Sequence, residues 1–183
     1  MIYYGTAQSE ADLQGILTLQ KQNLPGALSQ EEIASQGFVT VLHTPELLRQ
    51  MNDIEPHVIA KDGDAVVAYL LAMTAASRQE VPVLIPMFET FDNTAYEGKL
   101  LADYHYLVVG QVCVKKEYRG QGILEACYQT YRDHFRNKYD FAITEIAAEN
   151  KRSLRAHERV GFREIHRYKD PDGVEWSIVI LRW

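Results

Sequence analysis

The chain places an apolar strand, a glycine-rich turn and an amphipathic helix directly after one another. The nine residues YLVVGQVCV (106–114) are apolar on both faces, which is typical of a central, buried strand. The turn Arg119-Gly120-Gln121-Gly122 follows, and an amphipathic helix is predicted from about Gly122 to Lys138. Glycine lets a backbone approach a ligand closely, and a helix start offers N–H groups and a partial positive charge. The arrangement therefore predicts a phosphate-binding turn.

Strand and helix patterns alternate along the rest of the chain, which predicts one mixed α/β domain over residues 1–183. The predicted strands lie at 2–7, in a hairpin at 57–73 around Lys61-Asp62-Gly63-Asp64, at 141–148, and in a second hairpin made by 162–168 and 174–183. The predicted helices begin near Ser9, near Ser29, at Pro45 and after Asn150, the last one ending at Gly161. The stretch 76–104 is predicted to be helix plus loop.

Composition excludes several classes of protein. The 183 residues carry a formal net charge of −6, so nucleic acid is not expected as the main partner. No apolar run approaches the roughly 20 residues of a membrane span, and the N-terminal MIYYGTAQSEAD lacks the features of a signal peptide. Cys113 and Cys127 have no metal-ligand spacing and are expected to be reduced core thiols. We therefore expect a cytoplasmic protein that uses no metal and binds no membrane.

Three phosphate-binding patterns place glycines before a helix, and two of them fail here. The P-loop needs a lysine and a hydroxyl after its last glycine, which this turn lacks. The dinucleotide fingerprint places a third glycine where Glu125 stands. The third pattern, Arg/Gln-x-x-Gly-x-Gly/Ala between a strand and a helix, is present from Arg119 to Leu124. That stretch closely resembles the acyl-coenzyme A site of the GNAT superfamily of N-acetyltransferases.

A second stretch strengthens the resemblance. GNAT domains usually carry, after the next strand, an Asn followed by Ala/Ser and then Tyr-Glu-Lys/Arg-x-Gly-Phe. The corresponding residues here are Asn150-Lys151-Arg152-Ser153-Leu154-Arg155-Ala156-His157-Glu158-Arg159-Val160-Gly161-Phe162. One helix and one strand separate the two motifs, as in the family. The resemblance is strong over residues 106–168 and elsewhere concerns the order of the elements.

The resemblance implies a mixed, mostly antiparallel central sheet flanked by helices, with a split between the two central strands. It also implies acetyl-coenzyme A as cosubstrate, with its pyrophosphate on N–H groups of the turn and its pantetheine arm along the preceding strand. The implied coenzyme-binding residues are Val112, Cys113, Val114, Arg119, Gly120, Gln121, Gly122, Ile123, Leu124, Asn150 and Ser153. Candidates for the outlying 3′-phosphate are Lys115, Lys116, Lys151 and Arg152.

Two positions depart from the family pattern. Leu124 stands where Gly or Ala is usual, but the expected contact is a backbone N–H, which leucine keeps. His157 stands where the family usually has a tyrosine that is assigned to protonating the departing thiolate of coenzyme A. A histidine with a pKa near ~6.5 can also protonate a thiolate, so His157 is the predicted catalytic acid. The alternative is a histidine on the helix surface.

The acceptor amine must be neutral when it attacks the acetyl group. An alkylamine with a pKa near ~10.4 is almost entirely protonated at pH 7, so a base or a water chain has to remove a proton. The sequence offers four candidates for that base without ranking them. They are Glu89, Tyr104, His105 and Glu145.

The expected function is acetyl transfer from acetyl-coenzyme A to a primary amine of a small molecule. Two alternatives stay open, a GNAT-like module that binds acyl-coenzyme A without chemistry and a peptide or protein N-acetyltransferase. The stretch 76–104 is long for a connection, and its apolar residues and acids predict a wall beside the acceptor that favours a cationic amine. The alternative is a helix that only adds to the core. The sequence also leaves a homodimer open.

Overall fold

The structure, a computed structural model, describes residues 1–27 and 41–183. The helix predicted around 29–35 lies outside these residues. The chain divides into two compact units, one made of Met1–Ala72 with Val109–His134 and one made of Met73–Val108 with Phe135–Trp183. The single domain expected from the sequence stays a prediction, and each unit is described by itself.

The first unit begins with three antiparallel strands. Two helices lie between the first and the second of these strands along the chain. Its elements are β1 (Ile2–Thr6), α1 (Glu10–Gln22), α2 (Pro45–Ile54), β2 (Val58–Asp62) and β3 (Ala65–Met73), whose last residue belongs to the second unit. Strand β2 pairs with both of its neighbours, placing Ile2 opposite Asp62 and Val58 opposite Leu70. These elements confirm the sequence prediction, including the hairpin between β2 and β3.

The helices of the first unit begin at the residues that the capping pattern predicts. The Ser9 hydroxyl accepts the N–H of Asp12 at 3.2 Å, and the Asp12 carboxylate accepts the N–H of Ser9 at 3.2 Å, which forms a capping box. Asp12 also binds Nζ of Lys61 at 2.8 Å, so α1 is tied to the hairpin. The largest fully buried side chains of this unit include Ile16, Leu48, Met51, Ile59 and Tyr69.

The stretch 76–104 lies near the start of the second unit. It contains 3₁₀ turns at Ala75–Arg78, Pro82–Leu84 and Leu101–Asp103, the helix α3 (Ile85–Asn93), and a hairpin of β4 (Ala95–Tyr96) and β5 (Lys99–Leu100). The sequence predicted helix plus loop here and missed the hairpin. The central residues of this hairpin, Glu97 and Gly98, have φ of 47° and 84°, as in a type I′ turn. Glutamate is uncommon in such a turn. The Glu97 carboxylate is bound by Arg182 at 3.0 Å, a partner far away in the sequence.

The strand and the helix on either side of the glycine-rich turn are β6 (Tyr106–Val114) and α4 (Ile123–Phe135). Their existence confirms the prediction, but α4 ends earlier than the predicted Lys138. The N–H groups of Lys138 and Tyr139 both donate to the carbonyl of Phe135, so the chain turns away there.

Burial along β6 differs from the expectation of a strand buried throughout. The strand is buried over 106–109, but Gly110, Gln111, Val112 and Val114 are half-buried, so the prediction is wrong for the second half. Within this half, the side chain of Gln111 accepts the hydroxyl of Tyr69 at 2.6 Å and donates to the carbonyl of Val41 at 2.8 Å.

The rest of the second unit consists of β7 (Phe141–Ala147), α5 (Lys151–Val160), β8 (Arg163–Lys169) and β9 (Glu175–Arg182). Strand β7 pairs in parallel with the start of β6, through Phe141–Ile143 and Tyr106–Val108. Strand β9 lies antiparallel between β7 and β8. All four elements were predicted from the sequence within one or two residues.

The described strands form a seven-stranded sheet in the order β1-β2-β3-β6-β7-β9-β8, beside the small β4-β5 hairpin. The sheet is mostly antiparallel, with the parallel pair at β6 and β7. This confirms the predicted fold class, a mixed α/β fold with a large, mostly antiparallel sheet and helices. The split between the two central strands stays a prediction.

Candidate active site

The turn between β6 and α4 has a regular path. After Val114, the N–H of Lys115 donates to the carbonyl of Val67 at 2.8 Å, which keeps the end of β6 beside β3. A 3₁₀ turn follows at Lys116–Tyr118. Its tyrosine donates a hydrogen bond from its hydroxyl to the carboxylate of Asp62 at 2.9 Å. The approach to the glycines is therefore fixed against the β2–β3 hairpin.

The two glycines of the turn need conformations that other residues rarely adopt. Gly120 has φ of 74° and Gly122 has φ of 77°. Within the described residues, a Cβ atom added to either glycine would meet no atom within 4 Å beyond its sequence neighbours, so the backbone borders open space among these residues. The carbonyl of Gly122 accepts the N–H of Ala126 at 3.0 Å, which starts the 13-residue helix α4. A helix start that can be approached in this way is suited to an anion.

The guanidinium of Arg119 makes hydrogen bonds to other residues of the protein. Its Nε donates to the carbonyl of Val114 at 2.8 Å, and its Nη2 donates to Oδ1 of Asn23 at 2.9 Å. Asn23 is buried at the C-terminal end of α1, where its Nδ2 donates to the carbonyl of Leu19 at 2.8 Å. These bonds hold the turn against the end of α1. The sequence identified Arg119 but not Asn23, because 96 residues separate the two in the chain.

The other residues implied in coenzyme binding along this segment differ in exposure. Val112 and Val114 are half-buried, whereas Cys113 is buried and its pKa is raised to about 12, mainly by burial. Ile123 is buried and Leu124 is half-buried, while Gly120, Gln121 and Gly122 are more open to solvent. The Gln121 amide donates to the carbonyl of Glu117 at 2.8 Å. The first unit thus brings together the residues predicted at 112–114 and 119–124.

The second predicted motif forms one cluster at the start of α5. Oδ1 of Asn150 accepts the N–H of Ser153 at 3.1 Å, so Asn150 is the N-cap of the helix. One turn later, Nδ1 of His157 donates to the carbonyl of Ser153 at 2.8 Å and lies 3.3 Å from its hydroxyl. The helix ends at Gly161, as the sequence predicts.

His157 is buried, which contradicts the alternative of a surface histidine. Its ring meets that of Phe162 edge to face, with centroids 5.1 Å apart. Burial lowers the pKa of His157 to about 4, although the bond to Ser153 acts in the opposite direction. The imidazole is therefore neutral at pH 7. A neutral imidazole must first gain a proton before it can protonate a thiolate, so the role of catalytic acid stays a prediction.

Glu145 stands out among the four candidate bases. It lies half-buried on β7, and the hydroxyl of Tyr168 on β8 donates to its Oε2 at 2.5 Å. Burial raises the pKa of Glu145 to about 7, with a further rise from Asp170 and an opposing effect of the bond to Tyr168. A carboxylate with a pKa near the working pH is suited to general base catalysis.

The other three candidate bases have different surroundings. Glu89 is exposed on α3. The hydroxyl of Tyr104 donates to the carbonyl of Tyr96 at 3.0 Å. The backbone N–H of His105 donates to the carboxylate of Asp140 at 2.8 Å. The structure gives no comparable support to any of them.

The inserted helix α3 packs by its apolar side and carries one acid in an ion pair. Phe88 and Phe91 are fully buried, and the Phe91 ring lies edge to face with Tyr106 at 6.0 Å. The guanidinium of Arg78 binds both carboxylate oxygens of Asp92, at 2.8 and 2.9 Å. This pair borders a cavity of about 290 Å³ within the second unit. The charge of Asp92 is thus already compensated, which leaves Glu89 as the acid of α3 that could act on an amine.

Metal ligation and membrane insertion find no support in the described part of the chain. Over residues 1–27 and 41–183, no group of three or more His, Cys, Asp or Glu side chains could hold a metal ion. Within the same residues, no helix has the length and apolar character needed to cross a membrane.

The family model described as the acetyltransferase (GNAT) family matches residues 27–162, which is more than half of the chain. The chain belongs to this family. No curated protein matches the chain significantly in its sequence.

Solved structures of similar fold include several acetyltransferases. Arabidopsis thaliana NAA60 in complex with a bisubstrate analogue has a TM-score of 0.66 at 13% identity, covering 100% of this chain and 98% of that chain. The NatC complex bound to Gag peptide and CoA has a TM-score of 0.64 at 16% identity, with coverage of 100% and 98%. NAA60 with acetyl-CoA has a TM-score of 0.60 at 14% identity, covering both chains fully. At these identities the likeness concerns the fold.

Proposed function

We propose that the chain transfers an acetyl group from acetyl-coenzyme A to the primary amine of a small molecule. The observation that carries this proposal is the turn at Gly120 and Gly122, which borders open space at the start of α4 in a member of the acetyltransferase (GNAT) family. A pyrophosphate fits such a turn, because backbone N–H groups can reach it without interference from side chains. The solved NAA60 structure with acetyl-CoA supports the choice of coenzyme.

The turn and strand β6 would each bind a different part of the coenzyme. N–H groups from Gly120 to Leu124 would hold the pyrophosphate, and the backbone of Val112 and Val114 would lie beside the pantetheine arm. Asn150 and Ser153 remain further proposed contacts. Acetyl-coenzyme A would supply the acetyl group as a reactive thioester. A backbone N–H near Val114 would stabilise the negative charge that develops on the carbonyl oxygen.

We assign the general base to Glu145. Its carboxylate would take one proton from the acceptor ammonium, and the neutral nitrogen would then attack the acetyl carbonyl. As the new C–N bond forms, the C–S bond of the thioester would break, and coenzyme A would leave as a thiolate that takes up the second proton lost by the nitrogen. With a pKa of about 7, Glu145 is partly ionised at neutral pH and can both accept that proton and release it to solvent. A carboxylate with an ordinary pKa would be a much weaker base.

Calorimetry on Gly122→Asp tests the coenzyme turn. The new carboxylate would occupy the place of the pyrophosphate, and a like-charge contact of several kcal/mol would weaken acetyl-coenzyme A about 100-fold or more. Because Gly122 has φ of 77°, the aspartate strains the turn, so the folding of the variant is checked by circular dichroism beside its affinity.

Gly63→Asp is the matched control for that experiment. Gly63 also has a positive φ, 58°, and within the described part of the chain a Cβ added there would meet no atom beyond its sequence neighbours, but it lies in the β2–β3 hairpin. This variant should bind acetyl-coenzyme A like the unmodified protein. Equal affinity in folded Gly122→Asp would remove the turn from the coenzyme site.

A peptide amine is the second candidate acceptor, and the similar structures favour it specifically. One of them holds a Gag peptide, and another holds a bisubstrate analogue. Release of free thiol from acetyl-coenzyme A, measured with a panel of small amines and of peptides with free N-termini, distinguishes the two acceptor classes. Thiol release with neither class, despite tight coenzyme binding, would support a binding module without chemistry.

A further inference from the structure

Three strands of the second unit place Glu145 and Tyr168 on one face of the sheet. Strand β9 lies between their strands, and its Ile178 is opposite Glu145 while its Trp176 is opposite Tyr168. Residues opposite each other share a face, and so do residues two apart on one strand. The two side chains therefore meet diagonally across β9, which requires the reach of a tyrosine. The hydroxyl oxygen of Tyr168 lies 2.5 Å from Oε2 of Glu145.

The surroundings of Tyr168 keep its hydroxyl available as a donor. Burial, followed by the bond to Glu145, raises the pKa of Tyr168 above its usual range, so the phenol stays protonated at neutral pH. Thr90 on α3 has a smaller, opposing effect on this pKa.

We propose that Tyr168 is a positioning residue for Glu145, an inference that rests on the proposed role of Glu145 as general base. The phenol binds Oε2 and fixes the orientation of the carboxylate, which leaves Oε1 to take the proton of the acceptor. The bond also stabilises the ionised carboxylate that a base needs, because a donor favours the charged form of its acceptor.

Other ionisable groups of the second unit surround the pair and have to be kept constant. Asp170, at the end of β8, accepts Nε1 of Trp176 at 2.8 Å and raises the pKa of Glu145. The exposed ring of His166 stacks near Tyr168, with centroids 6.5 Å apart. Helix α3 carries Glu89, which is exposed, and Asp92, which is bound by Arg78. A variant that changes only the phenol leaves all of these groups in place.

A carboxyl-carbon NMR titration of Glu145 in Tyr168→Phe tests the proposal without any substrate. The resonance is assigned by its loss in Glu145→Gln. Removal of the donor should raise the titration midpoint of Glu145 by about one pH unit. Tyr96→Phe is the control, because it removes the hydroxyl of another tyrosine of this unit, whose ring lies 5.7 Å from that of Phe141 on β7. That variant should leave the midpoint unchanged.

The outcomes separate this inference from the proposed function. An unchanged or lowered midpoint in folded Tyr168→Phe overturns the positioning role, even if Glu145→Gln abolishes acetyl transfer. Full acetyl transfer by Glu145→Gln overturns the base itself, whatever the titration shows. When both hold, the acid limb of kcat/KM in Tyr168→Phe moves to higher pH together with the NMR midpoint, while the affinity for acetyl-coenzyme A stays constant.

Discussion

At the scale of single residues, burial has opposite effects on the pKa values of Glu145 and His157. The sequence analysis proposed both side chains as carriers of protons. Burial raises the pKa of Glu145 to about 7, which brings a carboxyl group close to its working pH. The same cause lowers the pKa of His157 to about 4, which takes an imidazole away from it. Desolvation disfavours the charged form of each group, so an acid and a base move in opposite directions. Burial therefore supports catalysis by Glu145 and packing by His157.

His157→Phe separates the predicted role of His157 as the catalytic acid from a role in packing alone. The variant loses the bond from Nδ1 to the carbonyl of Ser153, which costs about 1 kcal/mol and lowers Tm by roughly 2–4 °C. If His157 only packs inside the fold, kcat with an accepted amine stays within about threefold. A fall in kcat of about 100-fold, with unchanged affinity for acetyl-coenzyme A, would instead establish His157 as the acid. His134→Phe, at an exposed position of α4, is the control for Tm.

At the scale of elements, the start of α5 allows the capping role of Asn150 to be separated from a contact with the coenzyme. Asn150→Ala removes the acceptor of the Ser153 N–H and should cost about 1 kcal/mol in the free energy of unfolding. Asn150→Ser keeps a side-chain acceptor at the cap, so its stability should be close to that of the unmodified protein. Urea unfolding measures both values.

Calorimetry with acetyl-coenzyme A completes that comparison. If capping is the whole role of Asn150, the serine variant binds the coenzyme normally. Weaker binding by a stable serine variant would show that the amide itself contacts the coenzyme.

Elements whose causes are local could be predicted from the sequence. The capping box of Ser9 with Asp12, the N-cap Asn150 and the glycine turn before α4 all depend on residues a few positions apart. The β4–β5 hairpin was missed, because its Glu97-Gly98 turn is supported by Arg182 from the last strand. Packing across the fold overrides local preference there.

The residues of the candidate site could likewise be predicted only where their causes are local in the sequence. The residues at 119–124 could be found from their pattern, since glycine spacing and a helix start are local features. Glu145 appeared in the sequence only as one of four acids and bases. The choice of Glu145 among the four candidate bases depends on its burial and on its bond to Tyr168, which is 23 residues away along the chain. No spacing rule predicts a diagonal contact across β9.

At the scale of the whole molecule, three buried histidines make folding sensitive to acid. His43, His57 and His157 are all buried, and burial lowers their pKa values to about 4, about 3 and about 4. His57 is fixed in its neutral form, because its Nδ1 accepts the N–H of Ala72 at 3.1 Å while its Nε2 donates to the carbonyl of Leu48. Protonation of Nδ1 would break the first of these bonds.

The direction of the pH dependence follows from where these histidines bind protons. Between about pH 6.5 and pH 4 the unfolded chain binds protons that the folded chain does not, so the free energy of unfolding falls as the pH falls. Three such groups give a slope of at most about 4 kcal/mol per pH unit. Glu145 has the opposite sign, because its raised pKa favours the folded state at low pH, and this offsets about one histidine.

The free energy of unfolding, measured by urea titration between pH 5 and pH 8, should therefore rise with pH and level off near pH 7. His57→Gln keeps a side-chain donor and acceptor but binds no proton, so we expect its slope below pH 6.5 to be smaller by roughly 1.4 kcal/mol per pH unit. His134→Gln changes an exposed histidine on α4 and should retain the full slope. If both variants keep the slope of the unmodified protein, the neutral state of His57 is not what makes the fold sensitive to acid. His43 and His157, which burial also keeps neutral, would then account for the slope below pH 6.5.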